Sequence, residues 1–427
     1  MVYRVRLDNA IARAGLLTGL LAAALGLAWL SSRHFIVRTL ADQRLSYSNE
    51  ILLPAATRLP ASPRLQKRLV ESWLTAGEPD YVRAGQHAAQ AVRLTPRSGR
   101  LWHLLAQAQE GQGLTAEAEQ SLWQAAALAP ADSQVNWALA NLLVRAGKVD
   151  ESAQYFRRAV ALNASLYPLA FDTLWQAGGR KPELLQAICS AQPAAQLSLA
   201  QYLVEQKLYR ECALIFQSPE AQAWAAWPQT NDVLNQLLAA QQPLIARSIW
   251  LRMQPAASAE AGAASGALWD GGFETEPLAA LPHFNWALRD STFARAGYDD
   301  SVRRSGQHSL KLLFTGRDTT VLGGDVQQRL ALEPGRRYRF EAYVKSEALV
   351  TSEGPRLVIA QDGKPLAQSP PLPSGTWDWQ LFAFEFVAPA TGAPVVFDIL
   401  RTLKYAYDEP TKGALWFDEL KLTVMEN

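Results

Sequence analysis

The stretch "GRLWHLLAQAQEGQGLTAEAEQSLWQAAALAP", Gly99 to Pro130, contains two apolar rows at helical spacing, separated by a glycine. Its letters return 34 residues later: Leu105 is followed by Leu139, Ala106 by Ala140, Gly113 by Gly147, Leu122 by Phe156 and Ala125 by Ala159. Stepping back by the same interval from Ala118, Ala125 and Pro130 reaches Ala84, Ala91 and Pro96. A fixed period of this length marks stacked helical hairpins, each of which covers its apolar face only against its neighbours. Small side chains at 118 and 125 let the two helices of a hairpin approach, Leu105 and Leu122 fill the space between them, and Gly113 and Gly147 close each first helix.

Trp102, Leu105, Ala106, Ala118, Leu122, Ala125 and Pro130 resemble the tetratricopeptide repeat, and the second copy departs from it at Ser152 and Ala164. The period is good from Leu65 to about Leu166, and further amphipathic helices punctuated by Gly or Pro follow to Gln254. The expected body over 64–254 is an α-α superhelical solenoid of five or six hairpins. The resemblance implies that a protein partner is held on the surface of the first helices. By repeat position that surface carries Trp73, His103, Gln107, Trp137, Asn141 and Arg145. The alternative, that Trp73 and Trp137 pack between repeats, stays open.

Upstream, Ala14 to Leu30 is a run of seventeen residues without a charge, flanked by Arg4, Arg6 and Arg13 on one side and Arg33 on the other. At about 1.5 Å per residue it is just long enough to cross a bilayer. A secretory signal is the rival reading, but "WLSSRHF" offers no small-residue cleavage site. Residues 1–31 are therefore expected to be a cytoplasmic tail and a single-pass anchor in a bacterial inner membrane, with the bulk of the chain periplasmic. Arg38 and Arg44 balance the arginines on the other side, so charge alone does not fix the orientation. Residues 32–63 read as a spacer, helical at first and then broken by Pro54, Pro60 and Pro63.

Downstream, "PAASAEAGAASGA" over 255–267 reads as a linker, and the apolar period then changes from 3.6 to 2. In "RYRFEAYVKS", Tyr338, Phe340, Ala342 and Val344 share one face; in "WQLFAFEFV", Phe382, Phe384 and Phe386 do. Nine or ten such segments without an intervening helix predict an antiparallel β-sandwich over 268–427. "GALWDGGFE" and "GALWFDEL", at its two ends, are expected to be its first and last strands. Asp418 has the parity of Trp416, Leu420 and Leu422, which points it into the sandwich, where a carboxylate needs a cation or hydrogen-bond donors.

"WDGGFE", "SGQHSLKLLF", "VQQRLALEPGRRYRFEAYVKS", "GTWDWQLFAFEF" and "LWFDELKL" follow one another in the order seen in carbohydrate-binding modules of bacterial cellulases and xylanases. This resemblance implies a jelly roll with the galactose-binding-like fold. It also implies a structural calcium ion between first and last strands, held by Glu274 and Asp418 with backbone carbonyls near Ser305 to His308. An arginine partner, or a bulge that leaves Asp418 in water, is the alternative. For a glycan, the exposed or loop residues Trp286, Tyr343, Trp379, Arg401, Tyr405 and Tyr407 are the candidates, with Trp377 read as core.

The net charge of +1 gives no reason to expect nucleic acid, and Cys189 and Cys212 read as core fillers. Five histidines without metal spacing, no nucleophile elbow, no phosphate loop and no glycine fingerprint argue against an enzyme or a catalytic cofactor. The expectation is a non-enzymatic, membrane-anchored scaffold that binds a protein through its repeats and a glycan through its sandwich, in exopolysaccharide or envelope-glycan assembly or export. The rivals are a protein-protein adaptor whose sandwich binds no sugar, and an accessory subunit of an envelope glycan polymerase or sorting system.

Overall fold

The structure is a computed structural model and describes residues 10–42, 47, 49–255, 266–405, 407 and 409–425. Most of the expected linker, 256–265, and the tail before residue 10 lie outside the described residues. The chain divides into two compact units between Ile188 and Cys189.

The first unit opens with α1 (Ala10–Leu40) and α2 (Asn49–Arg58). Within α1, Arg13–Leu40 is long and apolar enough to cross a membrane, and its leucines from Leu16 to Leu30, with Trp29, are exposed. Pro54 does not break the chain as expected but lies inside α2, whose Leu52 and Ala56 are buried against Leu65 and Leu69, with Val37 and Leu40 of α1 beside them.

Hairpins follow: α3 (Pro63–Leu74) with α4 (Tyr81–Leu94), α5 (Gly99–Gly111) with α6 (Thr115–Leu128), and α7 (Ser133–Arg145) with α8 (Val149–Leu162). Second helices begin at Tyr81, Thr115 and Val149, first helices at Gly99, Ser133 and, for α9 (Tyr167–Ala177), Tyr167, so the period of 34 is kept in space. Ala84, Ala91, Ala118 and Ala125 are fully buried where the helices cross, as their size requires. Gly113 and Gly147, at φ 77° and 76°, reverse the chain in the left-handed region after each first helix. α10 (Pro182–Ile188) closes the unit.

The second unit begins with α11 (Pro193–Glu205), α12 (Tyr209–Ile215), α13 (Pro228–Ala239) and α14 (Pro243–Met253). Ten strands follow among the described residues: β1 (Ala287–Leu288), β2 (Ala294–Asp299), β3 (Ser309–Thr315), β4 (Val326–Leu330), β5 (Arg337–Val350), β6 (Arg356–Gln361), β7 (Lys364–Gln368), β8 (Gly375–Val387), β9 (Val395–Leu400) and β10 (Lys412–Val424). They form two antiparallel five-stranded sheets, ordered β1-β4-β9-β6-β7 and β2-β3-β10-β5-β8. Tyr338, Phe340, Ala342 and Val344 face the shared core with Leu357, Ile359, Phe397, Leu415 and Phe417, and Phe382 and Phe384 pack at its edge. Fold class is thus as the two periodicities predict: helical hairpins, then a β-sandwich.

The two GALW segments do not play equal parts. The second lies in β10, whereas the first forms no regular strand and makes only a parallel bridge, Gly266 to Leu422. Trp269 is held instead by a side chain: its N–H donates to Gln328 Oε1 and its carbonyl accepts from Gln328 Nε2, each at 2.8 Å.

α14 packs directly on this segment. Trp250 is fully buried, edge-on to Trp269 at 4.8 Å and to Phe284 at 5.6 Å, and its indole N–H donates to Leu281 O at 2.8 Å. Arg247 donates to Gly266 O at 3.0 Å. Cys189 and Cys212 are free thiols, each pushed up to about 12 by burial, which keeps them protonated and unreactive.

Candidate functional site

Two adjoining clefts run along the first helices of the first unit. One, about 450 Å³, lies between α3 and α5 and is lined by Tyr47, Arg68, Glu71, Arg100, Leu104 and Gln107. The other, about 530 Å³, lies between α5 and α7, where Arg100, His103, Gln107, Gln134 and Trp137 meet Asn163 and Leu166. Arg100 and Gln107 belong to both, so the clefts form one groove. Residues at equal repeat positions become neighbours there: the Arg100 guanidinium donates to Gln134 Oε1, one period away.

Of the six repeat positions expected on this surface, His103, Gln107 and Trp137 line the groove. The other three are engaged elsewhere. Trp73 is half-buried between two apolar clusters with the Arg83 guanidinium 5.0 Å from its ring, the packing role left open above. Asn141 donates to Trp137 O within its own helix, and Arg145 pairs with Glu110. Sequence reasoning missed Arg68 and Arg100, although each stands on a first helix, and Arg100 is the 34-residue partner of Gln134.

His103 is only 4% exposed, with no hydrogen-bond partner on Nδ1, and forms the floor rather than the wall of the groove. Burial above all, then Arg100, pushes its imidazole down from 6.5 to about 4, with Asp132 acting the other way. The folded chain therefore keeps His103 neutral where the unfolded chain takes up a proton. Its contribution is fully present above pH 6.5, is lost as pH falls from there toward 4, and changes no further below. Urea midpoints of the full chain between pH 4.5 and 7 are expected to show a steeper loss on the acid side in the parent than in His103→Leu; equal slopes would contradict this.

On the sandwich, the six glycan candidates do not converge. Trp286 is 7% exposed in the core and its indole donates to Asp270 O at 2.8 Å. Arg401 is 1% exposed and donates to Thr320 O, Glu353 O, Thr351 Oγ1 and Ser352 Oγ, which makes it an internal clamp. Tyr343 is half-buried beneath the Arg304 guanidinium, 3.4 Å from the ring centre. Trp379 is half-buried on β8. Tyr405 and Tyr407 are well exposed, at 61% and 68%, with the Tyr407 hydroxyl donating to Asp318 at 2.9 Å.

The carboxylates after each GALW have a shared purpose. Leu415, Phe417, Leu420 and Leu422 face the core, and the register slips between Asp418 and Lys421, where Glu419 has φ 52°. The bulge removes Asp418 from the face of Leu420 and Leu422, a correction to its expected parity. Asp418 is nevertheless fully buried, because the loop before β3 covers it: Oδ2 accepts from Arg304 N at 2.8 Å and Ser305 N at 3.1 Å, and Oδ1 from Glu419 N at 2.7 Å. Glu274 Oε1 accepts from Gln307 N at 2.7 Å and His308 N at 3.0 Å. Gly306 sits between these contacts at φ 62°, where a Cβ would collide with Glu274.

This loop presents amide N–H groups to Glu274 and Asp418. Calcium requires six to eight oxygen ligands, so the donor set does not fit the ion that the resemblance implies. Among the described residues no group of three or more His, Cys, Asp or Glu is placed to hold a metal. A chelator and added calcium are both expected to leave the thermal midpoint of the full chain unchanged. A chelator-induced fall would return an ion to this loop.

No protein-family model matches the sequence, and no curated protein matches it. Parts of the chain are similar to solved structures. The MamA protein is 12% identical over 42% of this chain and 96% of that one, with a TM-score of 0.34. YrrB, described as a TPR protein with an unusual peptide-binding site, is 12% identical over 47% of this chain and 90% of that one, with a TM-score of 0.26. The CBM22-1 xylan-binding domain of Xyn10C from Paenibacillus barcinonensis is 15% identical over 37% of this chain and 93% of that one, with a TM-score of 0.24.

Proposed function

We propose that this protein is a non-enzymatic scaffold, tethered to a bacterial inner membrane by α1, that takes an extended segment of a protein partner in the groove of α3, α5 and α7. The observation that carries this reading is the groove itself, continuous across three successive first helices and holding Trp137, Gln107, Arg100 and Arg68. An aromatic anchor with amide and guanidinium neighbours suits a peptide with one apolar side chain and acidic residues beside it. The exposed leucines of α1 support the anchor, since an apolar helix bare on all sides is costly in water.

In this reading the sandwich takes a saccharide, and the whole serves assembly or export of an exopolysaccharide or another envelope glycan from the periplasmic side. The adaptor without sugar is favoured by one observation, the burial of Trp286 and Arg401, which removes two of the six candidates from any open surface. Arrayed twelve-residue peptides probed with the full chain in detergent micelles test the groove. Acid-rich peptides with an aromatic or aliphatic anchor are expected to bind, and Trp137→Ala or Arg100→Glu to weaken them about tenfold or more. Binding indifferent to both substitutions would remove the groove from the account.

A further inference from the structure

The second unit holds a cavity separate from the groove and from the six glycan candidates. It measures about 450 Å³ and lies where α13 stands over the β1-β4-β9 side of the sandwich. Asn231 and Asn235 enter from α13, His283 from the short 3₁₀ turn Pro282–Phe284, and Arg289, Gln327 and Arg329 from β1, β4 and their flanks. Gln327 and Arg329 are two apart on one strand, so both side chains leave the same sheet face.

The cavity is lined by two guanidiniums and no carboxylate. Among the described residues neither the Arg289 nor the Arg329 side chain has a hydrogen-bond or ion-pair partner. Asp398, opposite Gln327 on β9, is already held by Gln327 Nε2 at 2.8 Å and by Gly324 N. Arg329 is half-buried, and burial lowers its pKa, which marks a charge short of compensation. His283, pushed down to about 4 by burial and then by Arg329, is neutral at pH 7; one ring nitrogen meets Asn235 Oδ1 at 3.1 Å and Nδ1 has no partner.

We infer that this cavity binds a carboxylated saccharide, a uronate unit, with Arg289 and Arg329 on the carboxylate and Asn235, His283 and Gln327 beside the ring hydroxyls. Planar guanidiniums match a carboxylate in two-point geometry, while neutral amides and a neutral imidazole both donate to and accept from hydroxyls, as polyol recognition requires. The inference rests on the reading that the sandwich takes a saccharide. It moves that ligand away from Tyr405 and Tyr407 and gives it a charge.

Calorimetric titration of the full chain in detergent micelles tests it, with trigalacturonate, monomeric galacturonate, a neutral galactose trimer and inorganic phosphate as probes. Trigalacturonate is expected to bind at least about tenfold more tightly than the neutral trimer, and Arg329→Gln and Arg289→Gln each to cost about tenfold. Arg289 is exposed, so its variant folds whatever Arg329 contributes to stability. The monomer binding as well as the trimer would still support the cavity and identify a single sugar acid as sufficient. Equal binding of both trimers, unaffected by either substitution, would overturn the inference and leave the saccharide reading standing. Phosphate binding as tightly as trigalacturonate would overturn the ligand class. Retention of no saccharide at all would overturn both.

Discussion

Trp250→Ala is expected to destabilise the second unit by about 4 kcal/mol, the upper range for removing a buried aromatic. The indole fills the space between Trp269 and Phe284 and satisfies Leu281 O. Its loss leaves a cavity and takes from Leu281 O the shorter of its two hydrogen bonds, with only Asn285 Nδ2 at 3.4 Å remaining. Because Trp250 belongs to α14 and Trp269 to the segment that opens the sandwich, helices and sheets should unfold together. Denaturant unfolding followed by tryptophan fluorescence and by far-ultraviolet dichroism should give coincident transitions for this unit, both shifted in the variant. A shift confined to the helical signal would show that the sandwich stands alone. The same seam has a practical meaning for binding work: a fragment starting at 268 would expose Trp269 to water.

Arg401→Met is the second large effect, expected at about 3 kcal/mol. Methionine fills much of the volume but donates nothing, leaving Thr320 O buried without its donor and Glu353 O with the Thr351 hydroxyl alone. Those carbonyls belong to the 317–320 and 351–353 segments, which the guanidinium draws together at the end of β9. Arg401→Lys should recover little, since one ammonium cannot reach donors spread over a planar fork. The thermal midpoints of the three proteins decide it; a lysine variant as stable as the parent would contradict the account.

Much of this molecule is legible in its sequence wherever a period is local. The alanines at 84, 91, 118 and 125 and the alternation from Tyr338 to Val344 name their own buried faces, because helix and strand geometry repeat along the chain. What stays hidden depends on contacts far apart in sequence. Asp418 changes face because Glu419 adopts φ 52°, a choice fixed by the loop lying over it rather than by the letters around it. Trp286 and Arg401 have the composition of ligand-binding residues, yet neighbours from distant strands enclose them. Arg289 and Arg329 lie in stretches that look like ordinary polar faces, and only α13, roughly a hundred residues from β4, makes a cavity of them. The groove fell between these cases: repeat arithmetic reached His103, Gln107 and Trp137, but not the arginines beside them.

The division between Ile188 and Cys189 has a consequence for how such a chain can change length. Whole copies of the helical hairpin could be gained or lost ahead of it, adding or subtracting rungs for a longer or shorter guest. The terminal helices would stay married to the pleated layers by Trp250 and Arg247. Growth in one half is thereby insulated from the packing of the other.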